Sequence, residues 1–251
     1  MAKQTDAKDE RRAALPVYWL RKLGYYLKRP AALVHPTAID RPVAVVGSAP
    51  ISTRPQGFGS DMMVFTINGS QSVAAGWGVD IPDVTFMQFN QIEGKGPNAQ
   101  AVRRVLNGRR TRRLCVMRWK KDRARLERGL SAFDYRADDL VIVGRENRVA
   151  LYHRVMGRPN FERDNHQKYS NGITAVLYAF ASGAPAVIIT GIDPTSTGHV
   201  YNDLNLKRLH ASTDLEVLQT LYRRGLPLYT ADAHVAQKTG LPIWEGGTKG
   251  E

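Results

Sequence analysis

The chain has 251 residues, of which 43% are hydrophobic and 24% are charged, and this balance excludes a protein that is disordered throughout. Its single cysteine, Cys115, excludes an internal disulfide framework and a multi-cysteine metal cluster, and its apolar neighbours predict a buried thiol. The net charge of +13 is concentrated in two segments, because residues 1–36 carry +5 and residues 103–128 carry +10.

The first ten residues are polar and are expected to be disordered. Between Pro16 and Pro30 the pattern predicts an amphipathic helix with an aromatic-rich apolar arc and a basic arc opposite it. The apolar arc contains Trp19, Leu20, Leu23, Tyr26 and Leu27. The basic arc contains Arg21, Lys22, Lys28 and Arg29. Such a helix is typical of proteins that lie on an anionic membrane, and a helix docked on its own domain with a solvated basic face is the alternative.

No apolar run approaches the ~20 residues of a transmembrane helix, and no signal-peptide pattern is present. We therefore expect a cytoplasmic protein that associates peripherally with the inner face of the cell membrane. Residues 1–36 are interpreted as a basic tail with its helix. Residues 37–251 are interpreted as one domain, since they contain no internal repeat and no Pro/Ser-rich linker.

Seven short apolar runs rich in β-branched residues have the length and composition of buried parallel strands. They cover residues 43–47, 62–68, 83–88, 113–119, 140–144, 186–190 and 227–230. Helical patterns lie between several of them, at residues 95–107, 121–130, 171–182 and 212–224. This alternation predicts an α/β fold with a single doubly wound, mostly parallel, Rossmann-like sheet and helices on both faces.

Small and polar residues follow the predicted strands, at the edge where sheets of this kind bind ligands. Gly47 and Ser48 follow the first strand, Asn68 and Gln88 end the second and third, and Asp193 comes shortly after the sixth. Small residues let a ligand approach the backbone, and amides and hydroxyls offer hydrogen bonds to a neutral polar group. These features predict a nucleoside site, although turn residues after strands often have no further role.

The sequence contains neither GxxxxGK[ST] nor GxGxxG, so a kinase-type nucleotide site and a dinucleotide site are not supported. The pair Asp138-Asp139 is predicted to precede a strand, at the wrong edge of the sheet for a metal–diphosphate clamp. A metal-independent donor fits better, because side-chain donors alone can stabilise a nucleoside monophosphate leaving group.

The densest polar cluster lies between residues 163 and 214 and holds three of the six histidines, His166, His199 and His210. Neither HExxH nor another paired His/carboxylate spacing indicates zinc. Histidine as an acid–base group near neutral pH is the simpler interpretation.

Several runs in this half of the chain resemble the bacterial sialyltransferases of the Campylobacter type (glycosyltransferase family 42). The runs are SNG at 170–172, the stretch ITAVLYAFASGAPAVIITGID that follows it, HVYND at 199–203 and HASTDLEVLQTLYRRGLPLYT at 210–230. The turn GSAP and the segment VFTIN are similar to the first two strand ends of that family. The similarity covers most of residues 43–230 and is strongest over 170–218.

The resemblance implies a CMP-sugar donor, inversion at the anomeric carbon, a glycan or glycolipid acceptor, and no metal or other cofactor. It implies that His210 is the base that activates the acceptor hydroxyl, that Tyr201 holds the leaving phosphate, and that Asp214 is the acid of the helix start. The expected donor-binding residues are Gly47, Ser48, Asn68, Gln88, Lys168, Asn171, Gly172 and Asp193.

The chain departs from the family pattern around the phosphate and the sugar. Thr195 replaces a second phosphate tyrosine, Ser48 an asparagine and Lys168 an arginine. Lys168 or His199 is the candidate for the missing phosphate donor. The departures leave the sugar open between a sialic-acid-like 2-keto sugar, Kdo and another CMP-sugar, and a homo-oligomer stays open too.

The basic residues 103–128, with Trp119 among them, support a second class of function, nucleic-acid binding. Because no helix-turn-helix, RNA-recognition or zinc-finger pattern is present, attraction to an anionic membrane or to a phosphorylated lipid-linked glycan is the preferred interpretation. A third interpretation is a nucleotide-binding member of this fold that performs pyrophosphoryl transfer or no chemistry.

Overall fold

The computed structural model describes residues 18–162, 167–202, 204 and 210–246. Its strands are β1 (Val43–Val46), β2 (Met63–Ile67), β3 (Val84–Gln88), β4 (Arg110–Met117), β5 (Arg136–Val143), β6 (Val187–Thr190) and β7 (Leu228–Thr230). Helix α1 covers 18–28 and is followed by α2 (Gln71–Gly76), α3 (Phe89–Glu93), α4 (Pro97–Leu106), α5 (Arg123–Ser131), α6 (Arg145–Met156), α7 (Asn171–Ala181), α8 (Ala211–Arg223) and α9 (Ala233–Thr239).

All seven strands belong to one sheet in the order β5-β4-β3-β2-β1-β6-β7, and every pair of neighbours is parallel. The predicted doubly wound α/β fold is therefore confirmed. The chain first builds outward from β1 to β5 and then returns to place β6 and β7 on the other side of β1. The strand order reverses between β1 and β6, and ligands of open parallel sheets bind beyond the carboxyl ends of the strands at such a point.

The central strands are buried along their whole length, which explains why they appear in the sequence as unbroken apolar runs. Helix α7 packs across β1, β2, β3 and β6. The thiol of Cys115 is buried in β4, and burial raises its pKa to about 12, as expected for a structural cysteine.

Strand β5, at the edge of the sheet, begins earlier than predicted. Asp138 and Asp139 lie inside it and not before it, so that prediction was wrong. The two carboxylates form cross-strand ion pairs with β4, from Arg110 to Asp138 at 2.6 Å and from Arg113 to Asp139 at 2.9 Å. Because these residues are charged and exposed, the apolar run does not include them and the start of this edge strand was placed too late.

Much of the charge of residues 103–128 is compensated within the fold. Seven of the twelve Lys and Arg side chains form ion pairs with carboxylates of the described residues, namely Arg110, Arg112, Arg113, Arg118, Lys121, Arg123 and Arg125. Arg103 instead donates to the backbone carbonyls of residues 91, 92 and 94. The segment therefore presents less free positive charge to a membrane or a nucleic acid than its composition suggests.

Helix α1 docks on α6 through two tyrosines. The Tyr25 hydroxyl lies 2.8 Å from Nδ1 of His153, and the rings of Tyr18 and Tyr25 pack edge-on against Phe161. The apolar arc predicted from the sequence lies mostly outside this contact, although the ring centroid of Tyr26 is 6.4 Å from that of Phe161. Its side chains are 48% to 74% exposed and comprise Trp19, Leu20, Leu23, Tyr26 and Leu27. The helix is thus docked on its own domain and still presents an exposed apolar arc.

The predictions for the first ten residues and for a helix start at Pro16 lie outside the described residues. Within the described part of the chain, no helix is both long and apolar enough to cross a membrane.

Candidate functional site

A cavity of about 350 Å³ opens at the carboxyl edge of the sheet, next to the point where the strand order reverses. The ends of β1 to β4, the starts of α7 and α8, and the loop after β6 contribute to its wall. Eight of the ten residues predicted from the sequence line it: Gly47, Ser48, Asn68, Gln88, Lys168, Asn171, Gly172 and His210. The other two, Tyr201 and Asp193, lie outside its lining.

The floor of the cavity depends on two glycines in close contact. A Cβ atom on Gly47 would lie only 2.2 Å from the carbonyl oxygen of Gly191, so no side chain fits there. Gly191 has a φ of +61° and donates its N–H to the buried carboxylate of Asp232 at 2.7 Å. Burial raises the pKa of Asp232, and the hydrogen bond from Gly191 opposes that rise. Gly47 therefore shapes the floor by bringing two strand ends together.

A network of neutral amides forms the wall next to β2 and β3. The Asn68 side-chain oxygen accepts the backbone N–H of Gln88 at 2.9 Å, and the Asn171 side-chain amide donates to Gln88 Oε1 at 3.4 Å. Ser48 Oγ lies 2.8 Å from Nδ1 of His199, which also lines the cavity. These contacts fix the orientation of groups that can hydrogen-bond a neutral nucleoside.

Tyr201 packs against this wall without lining the cavity itself. Its ring stacks on His199, with centroids 5.1 Å apart and an interplanar angle of 4°. It also lies flat against Gly69, where a Cβ atom would come within 2.7 Å of the ring. The geometry makes Tyr201 a support for His199, and its predicted contact with the leaving phosphate stays a prediction.

Asp193 organises the loop that follows β6. Its Oδ1 accepts hydrogen bonds from the backbone N–H and the hydroxyl of Thr195, both at 2.7 Å, and its other oxygen lies 3.6 Å from His234. Thr195 is thereby held within this loop, and its place in the family pattern of phosphate tyrosines stays a prediction. A donor contact for Asp193 stays a prediction.

Three cations on one wall give the cavity a positive side: Arg118, Arg148 and Lys168. Glu162, which is 2% exposed, forms ion pairs with Arg118 and, at 3.2 Å, with Arg148. The two arginines and Glu162 are not among the site residues predicted from the sequence. Arg118 directly follows β4, so the rule that identified the other strand ends also applies to it. Arg148 and Glu162 carry no such signal.

Backbone strain concentrates at this site. Among the described residues, five non-glycine residues have positive φ, and three of them surround the cavity: Asn68 at +51°, Arg118 at +61° and Glu162 at +48°. Such conformations cost about 1–3 kcal/mol each and persist where the surrounding structure fixes them, often at functional sites.

His210 lies at the start of α8, half-buried in the same wall. Its Nδ1 is buried and has no hydrogen-bond partner among the described residues. Burial lowers the pKa of His210, and Arg148, Lys168 and Arg118 lower it further while Glu162 opposes them. The imidazole is therefore neutral near pH 7 and able to accept a proton.

Asp214 ties the helix that bears His210 to the rest of the site. Its Oδ1 accepts the backbone N–H of Ser170 at 2.8 Å, and the Ser170 hydroxyl in turn caps α7 by accepting the N–H of Ile173 at 3.2 Å. The starts of α7 and α8 are thereby held together, so His210 has a fixed position relative to Asn171 and Gly172.

Some members of the predicted polar cluster, His166 among them, lie outside the described residues. Within the described part of the chain, no three His, Cys, Asp or Glu side chains are grouped so that they could hold a metal ion.

No protein-family model and no curated protein matches this sequence. Solved structures do match. The sialyltransferase CstII from Campylobacter jejuni, in complex with cytidine-5'-monophosphate, superimposes with a TM-score of 0.56 at 14% identity, over 85% of this chain and 89% of that chain. This chain has the fold of the Campylobacter sialyltransferases. The monofunctional alpha-2,3-sialyltransferase Cst-I from the same organism gives a TM-score of 0.50 at 14% identity, over 87% of each chain.

The resemblance read from the sequence is therefore confirmed at the level of fold. At 14% sequence identity, the comparison shows that the fold is shared and shows nothing about activity. The chemistry of this chain has to be argued from its own cavity.

Proposed function

We propose that this chain is a metal-independent, inverting glycosyltransferase that transfers a sialic-acid-like 2-keto sugar from a CMP donor to a glycan or glycolipid acceptor. The observation that carries the proposal is the position of His210. A neutral, half-buried imidazole lines the cavity at the edge where sheets of this kind bind ligands, in a lining that also holds cations and neutral amides.

In the proposed reaction His210 accepts the proton of the acceptor hydroxyl while the hydroxyl oxygen bonds to the anomeric carbon. The bond between that carbon and the phosphate oxygen breaks, and its electron pair leaves with CMP. Attack from the side opposite the phosphate inverts the anomeric configuration. His199, which lines the cavity beside Ser48, is the candidate for hydrogen-bonding the departing phosphate, because Lys168 lies on the same wall as His210.

The two walls suit the two parts of such a donor. Ser48, Asn68 and Gln88 offer neutral donors and acceptors to a base and a ribose, and the glycine floor leaves room for close approach to the backbone. The positive wall suits a ligand that carries negative charge. Both properties support a nucleotide-activated acidic sugar.

Transfer is tested directly by the release of CMP. The protein is incubated with CMP-N-acetylneuraminic acid, an oligosaccharide acceptor and excess EDTA, and CMP is measured by chromatography. We expect acceptor-dependent release that EDTA leaves unchanged. Loss of release in EDTA would contradict the metal-independent mechanism. Release from CMP-Kdo alone would reassign the sugar, and release from neither donor would contradict the proposed function.

The pH dependence follows from the lowered pKa of His210. A base must be unprotonated to act, so kcat/KM should fall on the acid side with an apparent pKa below 6.5, the ordinary value for histidine. A bound anionic donor offsets the positive charge of the neighbouring cations and so raises the pKa of His210 in the complex. The acid limb of kcat, which reports the complex, should therefore lie at higher pH than that of kcat/KM. A profile of both parameters from pH 4.5 to 8 measures this. An acid limb of kcat/KM centred above 6.5 would contradict the assigned base.

We also propose that α1 holds the enzyme on an anionic membrane. Its exposed apolar arc is flanked by basic side chains, and the Lys22 ammonium lies 4.9 Å from the centre of the Trp19 ring. Tyr18 and Tyr25 fasten the helix to the domain, so the arc is presented on a fixed surface. Residues 103–128 suit this role less well, because most of their charge is paired.

Membrane binding is measured by co-sedimentation with vesicles. Replacing Leu20, Leu23 and Leu27 together by serine should lower partitioning onto phosphatidylglycerol-rich vesicles at least about tenfold, since each buried leucine contributes about 1.5–3 kcal/mol. The matched control replaces three exposed isoleucines elsewhere, Ile81, Ile142 and Ile243, by serine. Equal partitioning of both triple variants, or equal binding to neutral vesicles, would contradict this proposal.

A further inference from the structure

The wall around His210 is rich in positive charge. Arg118, Arg148 and Lys168 line it, and Arg21 of α1 and Arg145 of α6 lie close enough to act on them electrostatically. Among the described residues, Glu162 is the carboxylate that faces this group. A site with this excess of cations favours an anionic ligand.

The cations repel one another. Burial is the main reason that the pKa values of Arg118, Arg145 and Lys168 are lowered, and repulsion by neighbouring cations lowers each of them further. A bound anion would relieve both effects, because it replaces lost hydration and offsets the repulsion.

The two arginines next to Glu162 differ in how far the protein already uses them. Arg148 is 4% exposed, donates to the Tyr169 carbonyl at 2.9 Å, and lies 4.3 Å from the centre of the Tyr169 ring. The Arg118 side chain is 21% exposed, and among the described residues its hydrogen bond goes to Glu162; the Nε atoms of both arginines are buried without a hydrogen-bond partner there. Arg148 is thus a fixed structural element, whereas Arg118 is the more exposed of the two cavity-lining arginines.

We propose that Arg118 binds the carboxylate which a 2-keto sugar donor carries on its anomeric carbon, and that Glu162 and Arg148 position Arg118 for that contact. A planar guanidinium fixes both the position and the orientation of a carboxylate through two parallel hydrogen bonds. The left-handed backbone of Arg118 and of Glu162 indicates that the fold holds this geometry against strain.

The chemistry of the donor places its carboxylate near His210, so the assignment of Arg118 rests on the proposed function. The carboxylate is attached to the reacting carbon itself, so it must lie close to the base that activates the acceptor. The leaving phosphate departs from the side opposite the attacking hydroxyl. The cations that share a wall with His210 are accordingly suited to the carboxylate, and recognition of this group would select acidic 2-keto sugars over ordinary hexoses.

The test pairs a change in the protein with a change in the ligand. Calorimetry without acceptor gives the Kd of CMP, of CMP-N-acetylneuraminic acid and of the same donor with its carboxylate converted to a carboxamide. Arg118→Gln should weaken binding of the acidic donor by about 10- to 100-fold, the range expected for a charged hydrogen-bonded pair. It should leave the Kd of CMP and of the carboxamide within about twofold. Arg123→Gln, at an exposed arginine paired with Glu127, is the matched control.

The outcomes separate this proposal from the one on which it rests. If the wild-type protein does not bind CMP, both proposals fall. If CMP binds and Arg118→Gln weakens CMP as much as the acidic donor, Arg118 serves the phosphate and the carboxylate site is contradicted. The carboxylate site is also contradicted if Arg118→Gln changes only the KM of an acidic acceptor and leaves donor binding unaltered. Should Arg118→Gln fail to fold, Arg118→Lys keeps the charge without the planar fork and should still weaken the acidic donor selectively.

Discussion

His210→Ala is expected to lower turnover by about 10²–10⁴-fold, the usual contribution of a general base. The loss should fall on kcat, because the imidazole acts on the acceptor proton and the donor contacts lie on other parts of the cavity. The Kd of CMP should stay within about twofold of the wild-type value. Steady-state kinetics with saturating acceptor and calorimetry with CMP measure the two quantities.

A second readout distinguishes a base from a structural histidine. The acid limb of the wild-type rate profile should vanish in the His210→Ala protein, leaving a slow rate that depends little on pH between 5 and 7. His35→Ala is the control, since His35 is only partly buried and lies outside the cavity lining, with its ring hydrogen-bonded to Thr37 and edge-on to Tyr178. Full turnover by the His210→Ala protein would remove His210 from the mechanism.

Glu162→Gln is expected to reduce the free energy of unfolding by about 3–5 kcal/mol, the range for removing one partner of a buried ion pair. Glu162 and Arg148 are 2% and 4% exposed, so the substitution leaves a buried guanidinium without a neighbouring carboxylate. The neighbouring Arg118 would add repulsion to this buried guanidinium. Urea unfolding followed by circular dichroism measures the change.

The matched control for this variant is Glu127→Gln, which removes an ion pair between two exposed side chains. Arg123 and Glu127 lie 2.9 Å apart with both side chains more than half exposed, and we expect a change below about 1 kcal/mol. The proposed role of Glu162 would be contradicted if both glutamine variants were equally stable. High salt should restore part of the stability of the Glu162→Gln protein, because it screens the repulsion among the remaining cations.

The strands of the sheet were predictable because the central ones are buried on both faces and therefore appear as continuous apolar runs. Helices α4, α5, α7 and α8 were found for a related reason, since each has a recognisable apolar pattern between two strands. Helix α6 was missed. Its buried residues run consecutively from 148 to 152, so they surround the helix and give no one-sided pattern.

The cavity was predictable as far as it is built from strand ends, since parallel strands bring their carboxyl ends to one edge. Ser48, Asn68 and Gln88 came from that rule alone. Glu162 and Arg148 lie 14 residues apart on a helix and a later loop, and only the tertiary structure shows that they meet. The loop that carries Tyr201 is held by a hydrogen bond from the Val200 N–H to the Ser48 carbonyl at 2.9 Å, which no local pattern encodes.

The central claim is that this cavity binds CMP, and a thermal-unfolding panel with CMP, CDP, UDP, GDP and ADP tests it most directly. At a hundredfold excess over its Kd, a ligand that binds only the folded state raises the Tm of a domain of this size by roughly 5–10 °C. We predict a rise of that order with CMP and little or none with UDP, GDP and ADP. An unchanged Tm with CMP, or equal rises with all five nucleotides, would contradict the account.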